Sequence, residues 1–414
     1  MTELNTEQRQ AVESILEAQS TLVCGAAGCG KTFTLQHAVK ELEEAGKRYL
    51  LIAPTGKAAL RMRSVIQRPA STIHRLLYNR NVDSALRNAD VVIVDEASMV
   101  DSELMGELSR KLLANNCRIV LVGDPNQLPP VGPGKPFEDI IASKVLPVIE
   151  LKTIYRQQGD SWVLDNAWKV LEGVMVDLED THDFTFIETE EIEGEALQYL
   201  GRQWKAERDP SNYQVISPQR IDNPTYDSGA TTGRINKGVQ DHSEPDGPGI
   251  FDFEWGQKFR TGDRIIQTTN NYTVGVVNGQ QGVITQATTD GVFVKFDESF
   301  DEERGPIWYS DLAGSEANPS PRELDLSYAI TVHRSQGSQF LDVFLAMDKR
   351  HTRMLQRRLF YTAITRTERH LTIAGSREAV QRAIKTNMVN DRNTLLQAKL
   401  QGKYDWFGSK VFGV

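Results

Sequence analysis

Short apolar runs alternate with stretches of helical periodicity along this chain, and polar or glycine-rich residues follow nearly every apolar run. Thr21-Leu22-Val23-Cys24 is apolar and partly β-branched, which predicts a buried strand. Leu35, Ala38, Val39 and Leu42 then recur at helical spacing, and Gly46 closes that helix. Tyr49 to Ala53, Val91 to Val94 and Arg118 to Val122 repeat the strand pattern. Continuous apolar strands separated by helices predict a parallel α/β lobe with ligands at the strands' C-terminal ends. A second set predicts a second α/β lobe: Gln214 to Ile216, Tyr328 to Val332, Val343 to Ala346 and Leu371 to Ala374. Between about 250 and 320 the texture changes to short β-rich runs and turns, with Asn278-Gly279 a strong turn signal. The expected organisation is a first lobe over 1–150, a second over 151–248 and 321–414, and a small β-barrel over 249–320.

The residues after the strands carry chemistry. Gly25-Ala26-Ala27-Gly28-Cys29-Gly30-Lys31-Thr32 fills G-x-x-x-x-G-K-[ST] between a strand and a helix, the context that confirms a phosphate-binding loop. Gly25, Gly28 and Gly30 let backbone N–H groups approach phosphates, and the helix N-terminus adds positive dipole. Lys31 reaches the β- and γ-phosphates, and Thr32 ligates Mg²⁺. Asp95-Glu96 ends the 91–94 strand, one acid for Mg²⁺ and the next to polarise an attacking water. Gln127, in the Gly123-to-Pro130 segment, is placed to sense a γ-phosphate. Gln8 precedes the loop on a helix and can offer a donor and an acceptor to adenine. Thr55 and Lys57 form a phosphate-contacting lip at a strand end. His74 reads either as a core histidine or as a nucleic-acid contact.

Composition adjusts this picture only slightly. The 414 residues are 39% hydrophobic and 25% charged, ordinary for a globular protein of two to four domains. Net charge is −9, which by itself argues against nucleic acid. However, residues 177–195 and 297–303 together hold fourteen acids and no Lys or Arg, so the remainder carries +5 and has room for a basic groove. The acidic runs themselves read as solvated faces. No apolar run approaches the roughly 18 residues of a membrane span, and the polar, acidic Met1-to-Glu7 segment does not read as a signal peptide. Cys24, Cys29 and Cys117 lack disulfide or zinc spacing, so a cytoplasmic setting is expected. Cys29 sits at a helix N-terminus beside Lys31, which favours a reactive thiolate; burial would act the other way.

The order of motifs resembles the superfamily 1 DNA helicases of the RecD-like and Dda-like branch, which moves 5′-to-3′. The resemblance runs from Leu4-Asn5 to Asp391-Arg392-Asn393-Thr394-Leu395-Leu396. It rests on Gly123-Asp124-Pro125-Asn126-Gln127 through Gly134, where the UvrD-like branch carries aromatics instead. It rests also on Phe259-Arg260-Thr261-Gly262-Asp263-Arg264 with Asn270-Asn271-Tyr272 and Val277-Asn278-Gly279-Gln280, on Thr331 through Ser338, and on Tyr361 through Arg366. The family implies two RecA-like lobes, an SH3-like insertion and MgATP hydrolysis coupled to movement on single-stranded DNA and unwinding of 5′-tailed duplex. By position it implies that Tyr155 stacks near adenine and that Arg156, Gly337 and Arg366 join Gln127 around the γ-phosphate. Thr55, Lys57, Thr72, His74, Ser217, Arg220, Asn271, Tyr272, His333 and Arg334 would line a single-strand track. A monomer acting with replication or recombination proteins, and apart from membranes, is expected. Gln339 stands where the family usually has a glutamate that resembles a ribose reader. Residues 77–90 leave room only for a stubby hairpin around Asn79-Arg80-Asn81 in place of the family's longer strand-splitting pin. A non-motor DNA-binding subunit with the same fold is the alternative; retention of Glu96, Arg156 and Arg366 speaks against it.

Overall fold

The computed structural model describes residues 3–17, 19–153, 161–220, 227–242, 250–252, 258–298, 305–311, 318–387 and 396–401. They fall into two compact units, Met1–Leu164 with Val389–Val414, and Asp165–Met388.

In the first unit the strands are β1 (Thr21–Gly25), β2 (Tyr49–Ala53), β3 (Ala70–Thr72), β4 (Val91–Val94), β5 (Arg118–Gly123) and β6 (Val148–Leu151); β1, β2, β4 and β5 come from the apolar runs. They pair in parallel in the order β3-β2-β4-β5-β1-β6. Strand period explains why the runs are apolar throughout. Val92 and Val94 enter one core with Leu76, Leu108, Leu112 and Phe137. Val91 and Ile93 enter the other, with Ile15, Leu35, Val39 and Met62. Helices therefore cover both faces, and polar residues are displaced to the strand ends.

Two expectations for this unit are corrected. No hairpin occupies residues 77–90: after the helix Ile73–Leu77 the chain turns and forms a second helix, Val82–Arg87. Val82 and Leu86, four residues apart, are buried in the first core, which a projecting hairpin would leave exposed. The second correction concerns the tail, expected in the second lobe. Helix Leu396–Leu400 packs on helix Pro136–Ser143 of the first unit, with Leu400 fully buried in its core.

In the second unit, β7 (Phe184–Glu188) and β8 (Tyr213–Ser217) are followed by seven further strands among the described residues. These are β9 (Ile250–Asp252), β10 (Lys258–Arg260), β11 (Arg264–Gln267), β12 (Gln281–Ala287), β13 (Val292–Phe296), β14 (Ile307–Tyr309) and β15 (Leu324–Leu326). Then come β16 (Ala329–Thr331), β17 (Phe340–Met347) and β18 (Thr367–Gly375). One sheet is parallel throughout, order β16-β8-β17-β18-β7. The 258–326 region forms an antiparallel sheet, order β14-β13-β12-β11-β15, around Phe259, Ile265, Ile284, Val294 and Tyr309.

Buried polar side chains join the two sheets. Gln281 Nε2 donates to Gln214 Oε1 (2.8 Å), and Gln214 Nε2 donates to the carbonyls of Ser327 and Tyr328 (3.0 Å each). Tyr328 Oη donates to Asp263 (2.8 Å), which also accepts from Gln240 and from Arg260 N (2.7 Å each). Asn236 brackets the β15–β16 junction, donating to Leu326 O and Ala329 O and accepting from Ala329 N. Such networks specify a unique arrangement because breaking one member leaves others buried and unpaired.

His351, in the turn after β17, is fully buried and neither ring nitrogen has a hydrogen-bond partner. Burial pushes its pKa down to about 4, against the opposing pull of Asp348. The folded protein therefore favours neutral imidazole. That contribution is complete above the unfolded value of 6.5 and is lost as pH falls toward 4. We expect a stability loss of up to about 3 kcal/mol across that window from this residue. Urea unfolding of wild type and His351→Gln at a series of pH values measures it; equal slopes below pH 6.5 would remove His351 from the account.

Candidate nucleotide and nucleic-acid sites

The phosphate loop leaves β1 at Gly25 and enters helix Lys31–Glu44. Gly28 and Gly30 have φ of 83° and 80°, the left-handed region that glycine enters without strain. Gly25 is required for space instead: a Cβ there would lie 2.5 Å from Cys29 Sγ and 2.8 Å from Leu151 O. Lys31 Nζ donates to the carbonyls of Gly25 (2.8 Å) and Ala26 (2.9 Å), curled over its own loop. Thr32 is partly exposed on the first turn of the helix.

At the end of β4, Asp95 is buried and Glu96 adopts φ 51°, a strained backbone for a residue with a Cβ. Asp95 Oδ1 accepts from Glu96 N at 2.8 Å. Burial, reinforced by the Glu96 charge, pushes the Asp95 pKa up to about 6, and Lys31 pulls it back. Glu96 Oε2 is buried without a hydrogen-bond partner. Beyond β5, Gln127 is 4% exposed; its Nε2 donates to Asp124 at 3.4 Å while its Oε1 is buried and unpartnered. Ser98 Oγ, just past Glu96, is a third such atom. Buried acceptors without donors are costly, and their concentration beyond β4 and β5 marks where a polar ligand belongs. Ser98 was not legible in advance, because a serine after two acids reads as a cap.

Gln8 is buried in the first turn of helix Thr6–Leu16. Its Oε1 accepts from Asn5 N (3.2 Å) while Asn5 Oδ1 accepts from Gln8 N (2.7 Å), a capping box. The cap thus engages the amide oxygen and not the NH₂ end. Glu7 beside it accepts from the backbone N–H of Lys152 (2.7 Å) and Thr153 (3.1 Å), tying the helix to the chain leaving β6. Tyr155 and Arg156 follow directly and lie outside the described residues.

In the second unit Gly337 (φ 75°) and Arg366 are brought together. The Arg366 guanidinium is buried, donating to Ser338 O (3.2 Å), Thr362 O (3.0 Å) and Thr365 Oγ1 (3.3 Å).

The expected single-strand contacts divide into two groups. Thr55 and Thr72 cap helices Gly56–Ile66 and Ile73–Leu77 through their hydroxyl oxygens, and Thr72 is buried. Ser217 is a correction: it is fully buried and donates to Ala230 O at 2.7 Å, so it shapes the following loop and presents no surface to a strand. Lys57, Arg220, Asn271, Tyr272, His333 and Arg334 retain exposure. Burial lowers the His333 pKa, so the ring is neutral at pH 7. His74 is partly exposed and stacks with Tyr78 at 6.3 Å; Tyr78, 71% exposed, is an aromatic surface that motif matching missed. Its only sequence signal was an aromatic inside a polar stretch. Among the described residues no cluster of three or more His, Cys, Asp or Glu could hold a metal, and no helix is long and apolar enough to cross a membrane.

Residues 3–190 match a family model described as an AAA domain, and residues 326–374 match a UvrD-like helicase C-terminal domain. The chain is 31% identical to the ATP-dependent RecD2 DNA helicase of Deinococcus radiodurans over 96% of its own length and 52% of that protein's. It is 29% identical to the RecBCD enzyme subunit RecD of Mycolicibacterium smegmatis, over 95% of its length and 75% of that subunit's. It therefore spans about half the length of the RecD2 relative. Among solved structures, a Pif1 helicase structure describing unwinding at forked double-stranded DNA is similar at TM-score 0.59 and 20% identity, covering 90% of this chain and 92% of that one. A Bacteroides Pif1 helicase in complex with ADP-AlF3 and single-stranded DNA is similar at TM-score 0.58 and 18% identity, covering 98% of both. These structural likenesses establish the shared fold.

Cys29 departs from the reactive reading. It is 1% exposed, and burial raises its pKa above the usual thiol value despite Lys31. Cys24 and Cys117 are also buried and pushed up to about 11. All three thiols are thus protonated near neutral pH. We expect maleimide to label none of them rapidly in the folded protein and all three after denaturation, as counted by intact mass. Rapid single labelling at Cys29 in the native protein would restore the reactive-thiolate reading.

Proposed function

We propose that the chain is a superfamily 1 helicase of the RecD-like branch, an ATP-dependent 5′-to-3′ DNA helicase and single-strand translocase. The observation that carries this reading is the set of buried, unpartnered oxygens on Glu96 and Gln127, just beyond β4 and β5, the two successive strands on one side of β1 and its phosphate loop. A γ-phosphate and its attacking water would supply the missing donors and charge.

In this reading the P-loop amides and Lys31 hold the phosphates; Lys31 leaves the Gly25 and Ala26 carbonyls to do so. Gln8 meets adenine through its NH₂ end, with Tyr155 stacked nearby. Thr32 and Asp95 would hold Mg²⁺, which neutralises developing phosphate charge and needs few protein ligands because phosphate and water complete its shell. Glu96 accepts a proton from water, and Gln127 orients that water or reads the γ-phosphate. Arg366 and Arg156 would act as arginine fingers on the γ-phosphate, so its loss removes the charge that holds them. Lys57, His74, Arg220, Asn271, Tyr272, His333 and Arg334 contact single-stranded DNA, mainly through its backbone. The antiparallel sheet around Phe259 and Tyr309 would serve as the family's SH3-like insertion. Helix Val82–Arg87, standing where relatives insert a pin, favours a second reading in which translocation outpaces strand separation.

Glu96→Gln keeps the shape of the site and removes the base. We expect ATP binding to persist and DNA-stimulated turnover to fall by about two to four orders of magnitude. Turnover near wild type would dismiss Glu96 as the base.

Polarity is tested independently. A duplex with a 5′ single-stranded tail should be unwound, and the same duplex with a 3′ tail should not. Preference for the 3′ tail would reject the branch polarity for this chain while leaving the ATPase assignment intact.

A further inference from the structure

Three segments of the second unit meet at one carboxylate. Arg220 lies just past β8, and its backbone carbonyl accepts from Thr232 Oγ1 (3.0 Å) and Gly233 N (2.9 Å) at the start of helix Thr232–His242. Arg334 lies just past β16, and its backbone N donates to Thr331 Oγ1 (3.2 Å). Both guanidiniums reach the same oxygen of Asp325 on β15: Arg220 Nη2 at 2.6 Å and Arg334 Nη1 at 2.9 Å. Neither pairing is a two-pronged fork. Each guanidinium commits one of its five N–H donors to Asp325, so others can address a phosphate.

The neighbouring acid behaves differently. Glu323, two residues earlier, accepts from Gln267 Nε2 (2.7 Å), Thr269 Oγ1 (3.3 Å) and Asn271 Nδ2 (3.3 and 3.4 Å), all uncharged. It shapes the loop that carries Asn271 and Tyr272. Asp325 instead meets two cations, and its side chain retains a quarter of its exposure while Arg220 retains over half. Two cations forced together repel; the shared anion holds them adjacent and lowers the net charge of the trio from +2 to +1.

We propose that Asp325 is a positioning residue that sets the grip of the second unit on single-stranded DNA, holding Arg220 and Arg334 side by side and competing with a phosphate for them. The proposal rests on the single-strand reading above. Its physical consequence is a contact that is aligned but deliberately weaker than two unopposed arginines, which suits a motor that must release its track in every cycle. For single strands the logarithm of affinity falls with the logarithm of salt concentration by about 0.7 for each phosphate neutralised. Removing the Asp325 charge should therefore steepen that slope.

The experiment is fluorescence anisotropy of a labelled oligothymidine across a salt series, with wild type, Asp325→Asn, Asp325→Ser and Asp325→Glu. Thermal unfolding of each protein is recorded alongside. We expect both neutral variants to bind about two- to fivefold tighter at low salt, the scale of an exposed ion pair, and to steepen the slope by about 0.7. Asp325→Glu, which keeps the charge, should keep the wild-type slope. Weaker binding by the neutral variants at every salt concentration with an unchanged slope would overturn the proposal and leave Asp325 a scaffold only. Affinities and slopes equal to wild type would also overturn it. Failure of wild type itself to bind oligothymidine would instead overturn the single-strand reading, so the two failures are distinguishable.

Discussion

A parallel sheet covered on both faces has no place for charge except where its strands stop. That constraint organises both units. In the first, β1, β4 and β5 are apolar from Leu22, Val91 and Ile119 onward and end in the phosphate loop, in Asp95-Glu96, and in Gly123-Asp124 with Gln127 beyond. Because neighbouring strands run the same way, these endings converge on one edge. Burial there, reinforced by the Glu96 charge, raises the Asp95 pKa, and Glu96 keeps an unpartnered buried oxygen. The arrangement is strained and under-satisfied on its own, which is the condition a phosphate, a cation and a water can relieve.

The same logic explains what was legible in the sequence. Continuous β-branched runs can hardly be anything but buried strands, so the two parallel sheets could be read directly. The eight residues from Gly25 to Thr32 left little freedom because the glycine positions answer to separate geometric demands. Gly28 and Gly30 supply left-handed backbone, and Gly25 avoids Cys29 and Leu151. Such demands are local, and a local pattern can report them.

What sequence reading misjudged depended on long-range packing. The 77–90 segment contains Asn79 and Asn81, which read as turn formers, yet Val82 and Leu86 find a core to enter and make a helix. Cys29 has the dipole and the lysine that favour thiolate, but strand β6, distant in sequence, closes over its neighbourhood and burial wins. Ser217 carries the right motif position and points inward to Ala230. The terminal helix joins the first unit because Leu396 and Leu400 fit against Pro136–Ser143. In each case residue type was read correctly and accessibility was not, since accessibility belongs to the pairing of distant segments.

One feature of the second unit bears on how force would pass through it. Only Ser327 and Tyr328 separate β15 of the antiparallel sheet from β16 of the parallel one, and Gln214, Asn236 and Asp263 lock that junction from three sides. An insertion tethered by flexible linkers would swing independently and dissipate any displacement imposed on it. This one is keyed into its host like a tooth on a gear. On the proposed reading, a shift of the Thr331–Ser338 loop would carry Asn271 and Tyr272 with it, and the spacing between these DNA contacts would act as a ruler of constant length rather than a spring.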